Sequence, residues 1–293
     1  MWDFEHEPMQ SQLAARFHLE WMMPSECAAR LAMPADAPQA ADLGLVPIAA
    51  LATNPELVLV PGCAIASRKR VRSLLLVRRA AQPLQAIRTV AADTSSRATL
   101  AYTQILFRHW WHPAGADDKA SIQTPLPSFV QHPPDLDAML EAADAALLIG
   151  DPALLALEQR ELSAGNASSL AQRDDLVFHD LAAEWTSLTG LPWISAVWAV
   201  RRSALLHGEQ TLEAIAAVTQ ASKDHGLAQI DALVAEWSAR LPIRPQTIRT
   251  YLTENIYYHL DEPCLAGMRL FYRLAAEHGI LPAYTLSAVS SPA

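Results

Sequence analysis

Over the first two hundred residues, short apolar runs rich in β-branched side chains alternate with stretches of helical period. Phe17-His-Leu-Glu-Trp21 alternates apolar and polar and predicts a strand, and Pro24 to Leu31 predicts a short helix with Ser25 as N-cap. Strands are expected over Asp42–Val46 and Leu57–Val60, the second closed by Pro61-Gly62, with a helix start at Pro47 between them. Val71 to Val77 reads as a buried strand from which Arg78 and Arg79 emerge, and Ile87 to Ala92 as another. Leu100, Ile105, Leu106 and Trp110 then recur at helical spacing. His112 to Pro134 should be loop around one short strand, followed by a helix over Leu136–Ala143. Ala145 to Ile149 is a strand ended by Gly150-Asp151-Pro152; Asp180 caps a helix that stops at Gly190; Trp193 to Val200 is a long strand. After Arg202 only helices are expected: Glu209–His225, Leu227–Arg240, Pro245–Glu254 and Glu262–His278, with Gly226 and Gly279 as C-caps. The pattern means α/β with mostly parallel strands, followed by a helical tail.

Composition narrows the class. The chain has 293 residues, 51% of them hydrophobic and 18% charged, which suits a large packed core and excludes disorder. A net charge of −9 without any Lys/Arg-rich block argues against an extended nucleic-acid surface. Cys27, Cys63 and Cys264 are far apart and odd in number, so free core thiols are expected. No apolar run has the length of a membrane span, and the acidic start Met1-Trp-Asp-Phe-Glu-His-Glu is not a signal peptide.

The candidate chemistry lies where strands end. Between Ala92 and the helix holding Leu100 stand Asp93-Thr94-Ser95-Ser96-Arg97. A strand turning into a helix through hydroxyls directs free N–H groups and the positive helix end at one spot, which suits a carboxylate or phosphate. An ordinary capped helix would look the same. Ser73 is a hydroxyl in an apolar run with no cap to make, so it is either satisfied locally or faces a cleft. Gly150-Asp151 ends a third run, and in open α/β sheets ligands bind beyond strand carboxyl ends. The ten histidines show no metal-ligand set, glycine-rich phosphate loops are absent, and there is no Gly-x-Ser-x-Gly elbow. His259 and Asp261 are expected to pack and to end a helix.

Several segments in fixed order resemble the chorismate dehydratases of the futalosine route to menaquinone. They are Leu43-Gly-Leu-Val-Pro47, Val60-Pro-Gly62-Cys-Ala-Ile-Ala-Ser67, Val71-Arg-Ser73-Leu-Leu-Leu, Asp93-Thr-Ser-Ser-Arg97, Ala143 to Leu154 with Gly150-Asp151-Pro152, Trp185 to Pro192, and Ala196 to Arg201. The resemblance is dense from Asp42 to Arg201 and loose in the helical tail. It implies a two-lobed fold like the type II periplasmic binding proteins, with residues 1–79 and 190–293 in lobe one and 80–189 in lobe two. It also implies a cytoplasmic enzyme that needs no metal or redox cofactor, whose partner is the anionic small molecule chorismate; oligomeric state stays open.

The implied reaction loses water from chorismate to give the enolpyruvyl ether of 3-hydroxybenzoate. Donors on the ring carboxylate acidify a conjugated ring hydrogen, and loss of the neighbouring hydroxide yields an aromatic ring. Ser73 matches a family serine at the substrate and is the expected catalytic residue; Thr94, Ser95, Ser96, Arg97 and Asp151 are the expected substrate-binding residues. Two alternatives stay open: a dihydroxynaphthoate synthase on the same scaffold, and a non-catalytic solute-binding module.

The family opens with a strand and a turn bearing an Asn that points into the cleft, and Met1-Trp2 aligns just after that motif. A central strand left out would leave backbone groups unpaired at about 1–3 kcal/mol each. Either the motif is encoded ahead of Met1 or this copy is degenerate; the expectation is the first, and that the chain starting at Met1 turns over little substrate. Reading the in-frame codons before Met1 checks this, and a stop codon there overturns it.

Overall fold

The computed structural model describes residues 2–92, 97–112, 126–164, 175–207 and 210–286. Nine strands are described: β1 (Leu43–Pro47), β2 (Leu57–Ser67), β3 (Leu74–Arg79), β4 (Thr89–Ala92), β5 (Ser128–Gln131), β6 (Ala145–Ile149), β7 (Leu176–Asp180), β8 (Trp193–Arg201) and β9 (Tyr257–Leu260). They form two sheets, in the orders β1-β8-β2-β9 and β5-β4-β6-β3-β7. The helices are α1 (Met9–Ala14), α2 (Pro24–Leu31), α3 (Ala49–Thr53), α4 (Arg97–Leu106), α5 (Leu136–Ala142), α6 (Asp151–Ala164), α7 (Leu181–Thr189), α8 (Arg202–His207), α9 (Leu212–Ala228), α10 (Ile230–Arg240), α11 (Pro245–Thr250) and α12 (Glu262–Glu277). None of the described helices is long and apolar enough to cross a membrane.

The strands are not mostly parallel. Only β4 with β5 and β4 with β6 pair in parallel. Among the described residues, two strands next to the crossings between sheets account for four of the five antiparallel pairings, and β9 against β2 is the fifth. β8 enters the first sheet between β1 and β2 and runs against both. β3 enters the second between β6 and β7 and runs against both. β3, which the sequence reading set at the end of the first lobe, thus hydrogen-bonds wholly within the second sheet.

Four local expectations need correction. Phe17–Trp21 is irregular, with Leu19 and Trp21 exposed. Alternation makes a strand only where a neighbour takes its backbone groups, and among the described residues β1 has a partner on one side only. Pro61-Gly62 does not close a strand: β2 runs through it to Ser67, with a bulge between Leu59 and Ala64. Gly62 has φ +95° there, and a Cβ would lie 2.5 Å from the Gln220 side chain, so only glycine fits. Gly226 is not a C-cap but lies inside α9, where its missing side chain lets Trp2 pack against the helix. Pro24 starts α2 at its first turn with Met23, not Ser25, at the cap.

Val71–Ser73 is a crossing and not a strand. Arg72 stands in the left-handed region at φ 68°, a conformation that costs a non-glycine residue about 1–2 kcal/mol and needs its surroundings to hold it. Asp180 holds it. Its carboxylate accepts the backbone N–H of Val71 at 3.0 Å and of Arg72 at 2.6 Å. It also accepts the Ala183 N–H at 3.1 Å, as the N-cap of α7 predicted from sequence, and α7 ends at Gly190 with φ 71°. One carboxylate therefore fixes the chain as it leaves the first sheet and starts the helix that leads back to it.

The core is continuous between the sheets, joining Val46, Ile48 and Val197 to Leu74, Leu76 and Val90. At its centre the fully buried Tyr102 of α4 stacks on Trp193 at 3.8 Å and meets Trp185 edge-on at 4.8 Å. Its hydroxyl accepts the Ile194 N–H, and Trp185 donates its indole N–H to the Pro192 carbonyl. On the opposite side α12 contributes Phe271, 4.3 Å from the Tyr102 ring, and Tyr272, whose hydroxyl donates to the Ile48 carbonyl.

Asp180→Ala removes a helix cap and leaves two crossing N–H groups without their acceptor. We expect a loss of about 2–4 kcal/mol in urea unfolding at pH 7. A loss too small to measure would show that the crossing is held by other contacts.

Candidate functional site

Because β4 and β6 are parallel, they end at the same edge of the second sheet: Ala92 faces Leu147, and the chain of β6 runs on through Ile149 to Gly150. β3 is antiparallel to β6, so its first residue, Leu74, faces Ile149 at that edge. The Gly150 N–H donates to the Ser73 carbonyl at 2.7 Å. Topology thus brings Ser73, Gly150, Asp151 and the end of β4 to one rim, with β6 between Ser73 and β4. Two strand spacings separate their backbones, about 10 Å.

Each expected site residue can be placed except three. Ser73 is buried and begins β3's approach instead of standing mid-strand. Asp151 is the exposed first residue of α6, and Arg97 the exposed first residue of α4. Thr94, Ser95 and Ser96 lie outside the described residues. Ser73 and Asp151 are brought to the same end of β6; Arg97 follows the strand beside it.

A residue not singled out from sequence completes the group. The Tyr251 hydroxyl donates to Ser73 Oγ at 3.1 Å. Tyr251 opens a wide π-turn over Tyr251–Asn255, directly after α11. Burial pushes its phenol above the ordinary value, the hydrogen bond with Ser73 opposes that, and the negative charge of Asp151 adds to the rise. Nothing in its spacing distinguished it from a packing aromatic. Tyr251 and Asp151 also line a cavity of about 210 Å³, walled by Leu154 of α6, Trp237 of α10, and Ile243 and Ile248. Among the described residues Asp151 is the only charged one on that wall, which sets the cavity against a carboxylate ligand.

A charged chain fixes α11, and hence Tyr251, against α6. The buried Glu158 of α6 receives Arg244 Nε at 2.5 Å, Arg244 Nη2 at 3.0 Å, the Arg244 backbone N–H at 3.0 Å and the Thr247 hydroxyl at 2.9 Å. Arg244 also reaches Glu161, which in turn pairs with Arg72 at 2.7 Å. The left-handed residue of the crossing is thereby tied to the same network. Burial alone pushes the Glu158 carboxyl up, but the Arg244 fork, the backbone N–H and Thr247 outweigh it and hold it down at about 2.

The three cysteines are unpaired, and burial pushes the Cys264 thiol up to about 12, with Asp261 adding to the shift. Asp261 caps α12, accepting the Cys264 N–H, and also binds the Tyr257 hydroxyl. Among the described residues no three His, Cys, Asp or Glu side chains are grouped to hold a metal ion.

A family model described as menaquinone biosynthesis matches residues 3–277. The chorismate dehydratase of Thermus thermophilus is 28% identical over 215 residues, covering 73% of this chain and 71% of that one. Among solved structures, a structural-genomics protein from Archaeoglobus fulgidus superposes with a TM-score of 0.63 at 14% identity, over 96% of this chain and 94% of its own. The periplasmic aliphatic sulphonate binding protein of Escherichia coli does so with a TM-score of 0.55 at 13% identity, over 94% and 84%. At such identities the likeness is one of fold, and the fold is that of the periplasmic binding proteins.

The Glu158 network has a pH signature. A carboxyl held below its ordinary 4.5 adds stability that is present in full above that value and is lost as pH falls toward about 2. Glu158→Gln should cost about 2 kcal/mol at pH 7, and the gap to the native protein should narrow steadily below pH 4.5. Urea unfolding of both proteins from pH 7 to pH 3 checks this; a gap that does not change with pH would contradict it.

Proposed function

This chain belongs to the menaquinone-biosynthesis family, and on that premise we propose that it is a carbon–oxygen lyase that removes water from chorismate, giving 3-[(1-carboxyvinyl)oxy]benzoate. The observation that carries the reading is the similarity to a chorismate dehydratase across 73% of the chain. The rim of the second sheet supplies the setting.

The chemistry asks for donors and orientation. The hydrogen on the ether-bearing ring carbon is allylic to a ring double bond that is conjugated with the ring carboxylate. Hydrogen-bond donors on that carboxylate stabilise the charge that develops there as the proton leaves. Departure of the neighbouring hydroxide then completes the aromatic ring, so one C–H and one C–O bond break and water is released. Ser73 is assigned to donate to the ring carboxylate. Arg97, with Thr94, Ser95 and Ser96, is assigned to the substrate's negative charge at the start of α4, where the helix end is itself positive. Asp151, an acceptor only, cannot hold a carboxylate and is assigned to the substrate's hydroxyl.

In this reading the two sheets are the cores of two lobes, one built on β1, β2, β8 and β9 and the other on β3 to β7. The lobe boundary drawn at residue 79 from sequence then moves back to the crossing at 68–73. The substrate sits between the lobes, and the enzyme works in the cytoplasm.

Protein purified from the whole reading frame, with any codons ahead of Met1 included, and incubated with chorismate should form a product with benzoate-type absorbance and the mass of chorismate less one water. Ser73→Ala should lower kcat/KM by about a hundredfold, the scale of losing one donor to a developing negative charge. Unchanged chorismate with well-folded protein would favour a solute-binding role, and normal turnover by Ser73→Ala would move the site away from this rim.

A further inference from the structure

We infer that Tyr251 is a positioning residue for Ser73, its hydroxyl occupying an acceptor site of Ser73 Oγ so that the single serine proton is left to point at the substrate. The inference rests on the dehydratase reading above. A serine hydroxyl has one proton and two acceptor sites and rotates freely unless something fixes it. Tyr251 does so from a distance of 3.1 Å. With Tyr251 donating, Ser73 cannot turn its proton toward Tyr251. Among the described residues no acceptor is recorded for that proton. A relay from the phenol through the serine to a carboxylate also polarises each bond along it, strengthening the last one.

Four features of the surroundings suit this role. Apart from Asp151 and Thr247, the side chains that wall the cavity beside Tyr251 are apolar, so packing alone would be served by phenylalanine. The recorded partner of its hydroxyl is Ser73, although Asp151 shares the cavity wall. The chain on both sides of Tyr251 is also tied down. Arg244 and Thr247 fix α11 to Glu158 just ahead of it, and the Tyr258 hydroxyl donates to the Leu252 carbonyl just after it. A π-turn inserts one extra residue at the point where Tyr251 leaves the helix, a distortion that often marks functional positions.

A double-mutant cycle tests the inference: native protein, Tyr251→Phe, Ser73→Ala and the double variant, each assayed on chorismate and by urea unfolding. Tyr251→Phe should lower kcat about tenfold with a smaller change in KM, and should cause no further loss once Ser73 is alanine. The urea midpoints should show the same non-additivity. A merely structural tyrosine would reduce both backgrounds by the same factor, and that result, or unchanged kcat in Tyr251→Phe, overturns the inference while the dehydratase reading stands. Native protein expressed from the whole reading frame, with any codons ahead of Met1 included, that leaves chorismate unchanged while the midpoints remain coupled overturns the dehydratase reading, and with it the substrate-directed part of the inference. Additive midpoints overturn the hydrogen bond itself.

Discussion

The grip of Asp180 on the crossing is the contact on which the architecture turns. Two sheets joined by short crossings keep a defined relation only if the crossings are themselves fixed. Asp180 stands at the end of β7, in the second sheet, and binds the backbone at Val71 and Arg72 as the chain arrives from the first. The same side chain starts α7, whose far end delivers the chain to β8. Few positions could do this with one residue. A carboxylate has lone pairs enough to serve three N–H groups, and a strand end next to a helix start sets them within reach. The left-handed Arg72 follows from that constraint, and its guanidinium extends the fixed region to Glu161 and on through Arg244 to α11.

Much of the strand layout was legible. β6 and β8 stand out because their residues are buried on both faces and bounded by turn residues, and Asp180 and Gly190 mark a helix by chemistry that does not depend on distant contacts. What failed was whatever needed a partner to decide it. Phe17–Trp21 has the right alternation and no described neighbour along β1. Pro61-Gly62 looks like a stop and is a bulge, because β8 and β9 hold the strand on either side of it. Strand direction was read as parallel because strands and helices alternate; β3 and β8 break the rule at the crossings and β9 breaks it in the tail, and none of these leaves a mark on local periodicity. β9 went unseen because four residues with two tyrosines and a histidine read equally well as the end of a helix.

The site shows the same division. Ser73 drew notice because a hydroxyl in an apolar run wants an explanation, and the structure supplies one in Tyr251. Tyr251 did not, because its hydroxyl is explained only by a residue 178 positions away. Arg97 and Asp151 each begin a helix, so their place at strand ends could be inferred from neighbours in sequence. The charge chain that fixes Tyr251 could not, since its members belong to a crossing, a helix of the second sheet and the helical tail.

The aromatic centre of the core has a consequence for how this protein can vary. Arg97 and Tyr102 share α4, five residues apart, roughly 7–8 Å along its axis. The ring of Tyr102 is clasped by Trp193, Trp185 and Phe271, so the helix start that carries Arg97 inherits its aim from that clasp. A change of shape among these rings would tilt the helix and swing its first turn. Divergence in the interior of this molecule is therefore also divergence in what it recognises, and the two cannot drift independently.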